Sequence, residues 1–124
     1  MSITWQTLED RVRAVASIKW KAPAITKHLA GVNFDAVVEP TQEELIVIEI
    51  TKRDDLTKIR DDIVKINALR LQSLADNVLV RAYIVVDEQP TVSMVETGTF
   101  NKVKVLSIRD FFNEFFQYEP YILL

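Results

Sequence analysis

Apolar positions recur three and four residues apart at the start of the chain. Trp5, Leu8, Val12 and Val15 form one stripe and predict a first helix. The segment from Trp20 to Gly31 is less regular: Pro23 breaks or starts an element there, and Gly31 ends it. From Val32 to Val38 the residues turn β-branched, and from Leu45 to Thr51 they do so again. Between the two runs lies the polar turn Pro40 to Glu44, so together they read as a β-hairpin. Asp54 or Asp55 is a suitable N-cap for the next helix, whose stripe runs Leu56, Ile59, Ile63 and Ile66 and extends to Leu69 and Leu74. Val78 to Val86 loses polar alternation after Ala82, as an interior strand covered on both faces does. Thr91 to Phe100 reads as a short helix with a turn at Gly98, and Val103 to Ile108 as the last strand. Ser107 and Asp110 resemble a capping box for a final helix burying Phe111, Phe112, Phe115 and Phe116. The tail Tyr118 to Leu124 is apolar, fitted to dock on the body or marking the cut end of a longer protein.

The predicted order is helix, hairpin, helix, strand, short helix, strand, helix. Strands joined through helices imply parallel neighbours, right-handed crossovers and helices on both faces. The expected class is α/β, a small mixed β-sheet.

Two carboxylates interrupt this pattern. Asp35 sits within Val-Asn-Phe-Asp-Ala-Val-Val and Glu49 within Leu-Ile-Val-Ile-Glu-Ile-Thr. A carboxylate in a half-buried strand loses hydration and must be paired, protonated or metal-bound. Strand parity puts Asn33, Asp35 and Val37 on one face, and Val47, Glu49 and Thr51 on one face. With an odd-count loop such as Pro40 to Glu44, Asp35 stands directly opposite Glu49, where like charges repel. A divalent cation would turn that repulsion into binding. An ion pair with Lys52, Arg81 or Arg13 is the structural alternative.

Composition narrows the chemistry. The 124 residues are 48% apolar and 27% charged, which fits one domain over residues 1–124, alone or as part of a larger protein. There is no cysteine and a single histidine, His28, so thiolate zinc sites and multi-histidine sites are excluded. Any bound metal is expected to be oxygen-liganded: magnesium, manganese or calcium. No apolar run approaches the roughly 20 residues that cross a bilayer, and the N-terminus lacks a basic-then-apolar signal pattern. No membrane partner and a cytoplasmic location are therefore the default expectations. A net charge of −3 does not by itself advertise a nucleic-acid binder. The positive charge is uneven, however, with Lys19, Lys21, Lys27 and His28 in one segment and Lys52, Arg53, Lys58 and Arg60 in another. Solvated surface is the ordinary reading of such clusters, and they matter only if both flank one site. His28 reads as a surface or helix-end residue, Asp61 and Asp62 as a solvated helix face, and Trp5 and Trp20 as packing anchors.

Gly31-Val-Asn-Phe-Asp35, thirteen intervening residues, and Ile48-Glu49-Ile-Thr-Lys52 resemble the PD-(D/E)XK, or restriction-endonuclease-like, nuclease superfamily. The likeness covers the hairpin and extends to the order of elements. It implies a restriction-endonuclease-like fold that cuts phosphodiester bonds, DNA before RNA, with Mg²⁺ (or Mn²⁺) on Asp35 and Glu49. By position, Glu9 in the first helix matches a further metal ligand. The family's lysine, two residues after the Glu, is Thr51 here, so its role passes to Lys58 or Lys52. Lys19, Lys21, Lys27 and Arg53 are then the expected nucleic-acid contacts, and a homodimer or further domains the expected assembly. The alternative is a catalytically inactive module of the same fold that binds a partner. A cyclic-nucleotide or other regulatory domain lacks its glycine-rich phosphate loop here.

Overall fold

A computed structural model describes residues 5–51 and 55–116, with side chains for 7–51 and 55–114. In chain order the elements are α1 (Trp5–Trp20), β1 (Ala24–Leu29), β2 (Val32–Thr41), β3 (Glu44–Thr51), α2 (Leu56–Leu74), β4 (Leu79–Val86), α3 (Val92–Phe100), β5 (Val103–Ser107) and α4 (Ile108–Phe116). The five strands form one mixed sheet in the order β1-β2-β3-β4-β5. Its first three strands are antiparallel and its last three parallel.

Connection lengths explain this division. β1 and β2 are joined by Ala30 and Gly31 alone, with φ 53° and 79°. Two consecutive positive φ values are the signature of a tight type I′ hairpin. β2 and β3 are joined by Gln42 and Glu43, again too few residues for anything but an antiparallel return. β3 reaches β4 through α2, and β4 reaches β5 through α3, so both pairs run parallel.

Each face of the sheet carries a helical layer. Between the sheet and the α2–α3 layer, Ile59, Ile63 and Ile66 of α2 pack on Phe34, Val37, Val47, Ile84 and Val105. On the other face, Val12 of α1 and Phe111 of α4 pack with Ala36, Val38, Ile46, Ile48 and Val85 of the strands. β3 is buried on both sides over Leu45 to Thr51, which is why it reads as a nearly unbroken apolar run. Asp55 caps α2, its carboxylate accepting the Lys58 amide at 2.8 Å, and Ser107 accepts the Asp110 amide at 3.1 Å to start α4. Trp20 packs on Tyr83 with ring centroids 5.6 Å apart.

Several expectations need correction. The stretch after Trp20 is an added strand, β1; as an edge strand exposing Ile25, Thr26 and His28, it has no clean apolar alternation to betray it. β2 runs three residues past Val38, and β5 stops at Ser107, ahead of Ile108. The α2 core stripe ends at Leu69, and Leu74 faces outward. The expected packing of Trp5, Phe115, Phe116 and the tail lies outside the described side chains, as does Asp54.

Gly98 is helical, not a turn, and α3 continues two residues beyond it. The lack of a side chain there lets α3 rest on β5: an added Cβ would lie 2.5 Å from Val105 Cγ2 and 2.6 Å from the Val103 carbonyl oxygen. The second neighbour is backbone and cannot turn aside. Gly98→Ala is therefore expected to destabilise the fold by about 2 kcal/mol. Thermal melting should record a midpoint lower by on the order of 8 °C.

Candidate functional site

The site begins with a bulge. Between the pairs Ile25↔Val37 and Lys27↔Phe34, β1 has only Thr26 while β2 has both Asp35 and Ala36. Strict alternation is broken there, so Phe34 joins Val37 in the α2 layer while Ala36 faces α1. The bulge leaves the Asp35 carbonyl without a ladder partner. Arg13, rising from α1, donates to it at 3.0 Å, and the Thr26 hydroxyl donates at 3.2 Å. The same guanidinium pairs with Asp10 at 2.7 Å and lies 3.8 Å from Glu9. Arg13 thus holds the bulge's backbone, not the Asp35 carboxylate.

On its other side, β2 pairs with β3 through Val38↔Ile46, Val37↔Val47 and Ala36↔Ile48. The next step of that register sets Asp35 opposite Glu49. The extra residue that keeps the register comes from an irregularity between Val38 and Thr41 rather than from a five-residue loop. At this step side chains replace the ladder. The Glu49 carboxylate (Oε1) accepts the Asp35 amide at 3.1 Å, and the Asp35 carboxylate (Oδ2) accepts the Ile50 amide at 2.8 Å. Each acid is locked to the opposite strand. Among the described residues, no hydrogen bond reaches Asp35 Oδ1.

The α2 helix covers this pair with two lysines. Lys65 donates to Glu49 Oε2 at 2.6 Å, and its ammonium lies 5.4 Å from the centroid of the Phe34 ring, within cation–π range. Lys58 donates to Asp62 Oδ1 at 2.5 Å. Asp62 is 0% exposed, contrary to the solvated face expected of it, whereas Asp61 is exposed. The second oxygen of Asp62, Oδ2, has no hydrogen-bond partner among the described residues. Such an orphaned buried acceptor is costly.

These groups shift one another. Burial, and then the Asp35 charge, push the Glu49 carboxyl up to about 7, against the hydrogen bond and charge of Lys65. Burial likewise raises Asp62, opposed by Lys58 and Lys65 and reinforced by Asp35. Burial alone would lower Lys58, but Asp62, Glu49 and Asp35 outweigh it and its pKa is raised. Burial, then the charges of Asp35 and Asp10, raise Glu9 against the pull of Arg13.

The sequence-derived residues are therefore distributed as follows. Asp35 and Glu49 are brought together, Lys58 reaches their field, and Glu9 stands near Asp35. Among the described residues, however, no three Asp, Glu, His or Cys side chains cluster tightly enough to hold an ion. Lys19 lies ten residues beyond Glu9 on α1, roughly 15 Å along the axis. Lys21 follows the end of that helix, and Lys27 is paired with Glu39 at 2.7 Å. His28 bonds Asn33. Lys52 and Arg53 lie outside the described residues. Lys65 was not foreseen, although Lys58, Asp62 and Lys65, spaced four and three apart along the edge of the core stripe, carried the signal.

The donor set suits a hard cation: two carboxylates with free lone pairs, one oxygen of Asp35 unbonded among the described residues, and no nitrogen or sulfur ligand. Mg²⁺ and Mn²⁺ are commonly held by one or two carboxylates, with water and phosphate completing the shell. Compared with known proteins, the chain matches no family model, no curated protein and no solved structure.

The raised Glu49 pKa fixes a stability window. A carboxylate whose folded pKa exceeds its ordinary 4.5 contributes most at pH values below 4.5, and that contribution is lost as pH rises through about 7. The loss amounts to about 3 kcal/mol. Glu49→Gln keeps the acceptor for the Asp35 amide and removes the charge, at the expense of the Lys65 pair. It is expected to raise metal-free stability at pH 8 by on the order of 2 kcal/mol. Urea unfolding with chelator at pH 4.5 and pH 8 reads the difference; a gain that does not grow with pH would contradict the assignment.

Proposed function

We propose that this protein is a Mg²⁺- or Mn²⁺-dependent nuclease of the restriction-endonuclease-like type that hydrolyses phosphodiester bonds, DNA before RNA. The observation that carries the reading is the reciprocal lock of Asp35 and Glu49 across β2 and β3, with a lysine ammonium 2.6 Å from Glu49. Supporting it is the order α1–β1–β2–β3–α2–β4, in which both acids stand on neighbouring antiparallel strands beneath the following helix. That order resembles the core of the PD-(D/E)XK superfamily.

Asp35 and Glu49 hold the metal in this reading, and when bound it supplies Lewis-acid polarisation of a phosphoryl oxygen and a lowered pKa for water. Lys65 takes the part that Thr51 cannot: its ammonium is positioned by Glu49 and the Phe34 ring, where it orients the attacking water and offsets charge growing on the phosphate. Lys58, fixed by Asp62, adds positive charge at the same place. Lys19 and Lys21, exposed at the far end of α1, meet the backbone of a substrate long enough to extend beyond the reacting phosphate.

Cleavage assays with Mg²⁺ or Mn²⁺ on DNA and RNA test this. Asp35→Asn and Glu49→Gln should abolish turnover and weaken Mn²⁺ binding measured by calorimetry, with circular dichroism unchanged. Lys65→Met should lower kcat by about 10²-fold or more, roughly 2.7 kcal/mol of barrier. Lys58→Met should cost less, and Lys19→Met should weaken binding in a salt-dependent way only. A variant of Asp35 or Glu49 that keeps the parent's rate overturns the site. A parent that binds Mn²⁺ and DNA but cuts no nucleic acid fits the catalytically silent binding module instead.

A further inference from the structure

The C-terminal end of α2 borders a cavity that is not part of the Asp35–Glu49 site. Its volume is about 350 Å³, the size of a small-molecule site. It lies towards the end of the sheet where β2 finishes at Thr41 and β3 begins at Glu44, away from Glu49. Its apolar lining comes from Leu29 of β1, Leu45 of β3, Leu69 of α2 and Val78 before β4. Backbone bonds fix the walls. The Ser73 carbonyl accepts the Asp76 and Val78 amides at 3.1 and 3.2 Å, and the Glu43 carbonyl accepts the Leu79 amide at 2.9 Å. The turn after α2 is thereby fastened to the helix and to the β2–β3 turn, so the space is preformed.

One polar group in the lining has no use inside the fold. Ser73 is 7% exposed, and among the described residues no hydrogen bond reaches its hydroxyl. Ser17 and Thr99, also within helices, donate theirs to the carbonyl four residues back. Among the described residues the side-chain atom sealed from all open space without a partner is Asp62 Oδ2, so the Ser73 hydroxyl touches the cavity it lines. A group this buried ordinarily has a partner.

Charge sets the sign of the occupant. Glu39, Glu44 and Asp76 line the cavity, and no Lys, Arg or His does. Lys27 holds Glu39 at 2.7 Å and Arg81 holds Glu44 at 3.0 Å, both from outside the lining. Asp76 forms no ion pair among the described residues. It follows Leu74 by two residues, at the negative end of the helix dipole, and the last turn of α2 has no basic residue. An acid placed there lacks the cation that the helix end and its own charge both favour. A bare metal ion is a poor occupant, because two of the three carboxylates are already paired and the floor is apolar.

We propose that this cavity binds a small organic cation, a primary ammonium on a compact apolar body. Asp76 pairs the charge, the Ser73 hydroxyl accepts a hydrogen bond from it, and Leu29, Leu45, Leu69 and Val78 cover the body. The site is separate from Asp35 and Glu49 and does not rest on the nuclease reading.

Benzylamine titrated into the intact, nitrogen-15-labelled chain should shift the amides of Leu45, Ser73, Asp76 and Val78 together, saturating at about millimolar, as a fragment of this size allows. Benzyl alcohol, its neutral match, should bind about tenfold more weakly, and benzoate, its anionic match, should leave those amides in place. Asp76→Asn, at an exposed position, should weaken benzylamine about tenfold and leave benzyl alcohol unchanged. Ser73→Ala removes the hydroxyl without adding bulk. It should weaken benzylamine about threefold, with a melting midpoint no lower than the parent's, since Ala is the better helix former. Shifts that do not saturate at these amides overturn the inference, as does a benzoate response equal to that of benzylamine. Saturable shifts confined to the surroundings of Asp35 and Glu49 overturn it by placing the cation on the other acids. Benzylamine binding indifferent to both Asp76→Asn and Ser73→Ala overturns it as well.

Discussion

The structure turns on one exchange: where the β2–β3 ladder should continue, two carboxylates take over the bonding of the strands. Glu49 accepts the Asp35 amide and Asp35 accepts the Ile50 amide. A main-chain ladder would satisfy those amides at no electrostatic cost. Using two acids instead buries Glu49 and sets Asp35 beside it, and burial first, the Asp35 charge second, raise the Glu49 pKa. The gain is rigidity. Each carboxylate is oriented by a backbone amide of the opposite strand, so neither can swing away from the other to relieve the repulsion.

Much of the surrounding structure serves that exchange. The bulge at Asp35 and Ala36 turns β2 so that Phe34 enters the α2 layer and backs Lys65. It also exposes a carbonyl that would be orphaned without Arg13 and Thr26, so α1 is tied to the site through its backbone. From the opposite face, α2 supplies ammonium groups at Lys58 in its first turn and Lys65 in its third. The parallel half of the sheet, β3 to β5, brings the carboxyl end of β3 and the N-terminus of α2 together, as strand-to-helix connections do.

The hairpin, the main helices and the helical layers on both faces were legible because β-branched runs and a three-to-four apolar spacing leave little choice of element. Asp35 and Glu49 stood out for the same reason: charge inside apolar strands has to be accounted for. β1 was hidden because an edge strand half exposed to water has no strong pattern, and the Phe34–Val37 relationship was hidden because a bulge breaks period-two counting. Asp62 was misread because its neighbours Asp61 and Arg60 are exposed and only helical phase separates them. Lys65 was passed over in favour of lysines nearer Glu49 in sequence; two helical turns bring it closer in space than its numbering suggests.

Asp62 shows what the charge balance around the strands demands. Asp35, Glu49 and Asp62 face two lysines, Lys58 and Lys65, and one acceptor oxygen of Asp62 is buried without a donor among the described residues. If all five groups were charged, one negative charge would remain in a low-dielectric enclosure, where it is poorly tolerated. Protonating Glu49 removes that excess, and its pKa of about 7 places this solution within reach of neutral pH. Under the proposed reading a divalent cation provides the other solution. Held by Asp35 and Glu49, it would balance the excess charge without a proton on Glu49, while Lys58 stays on Asp62 Oδ1. Asp62 itself keeps Lys58 at this place, and the charge of Lys65 acts on it as well.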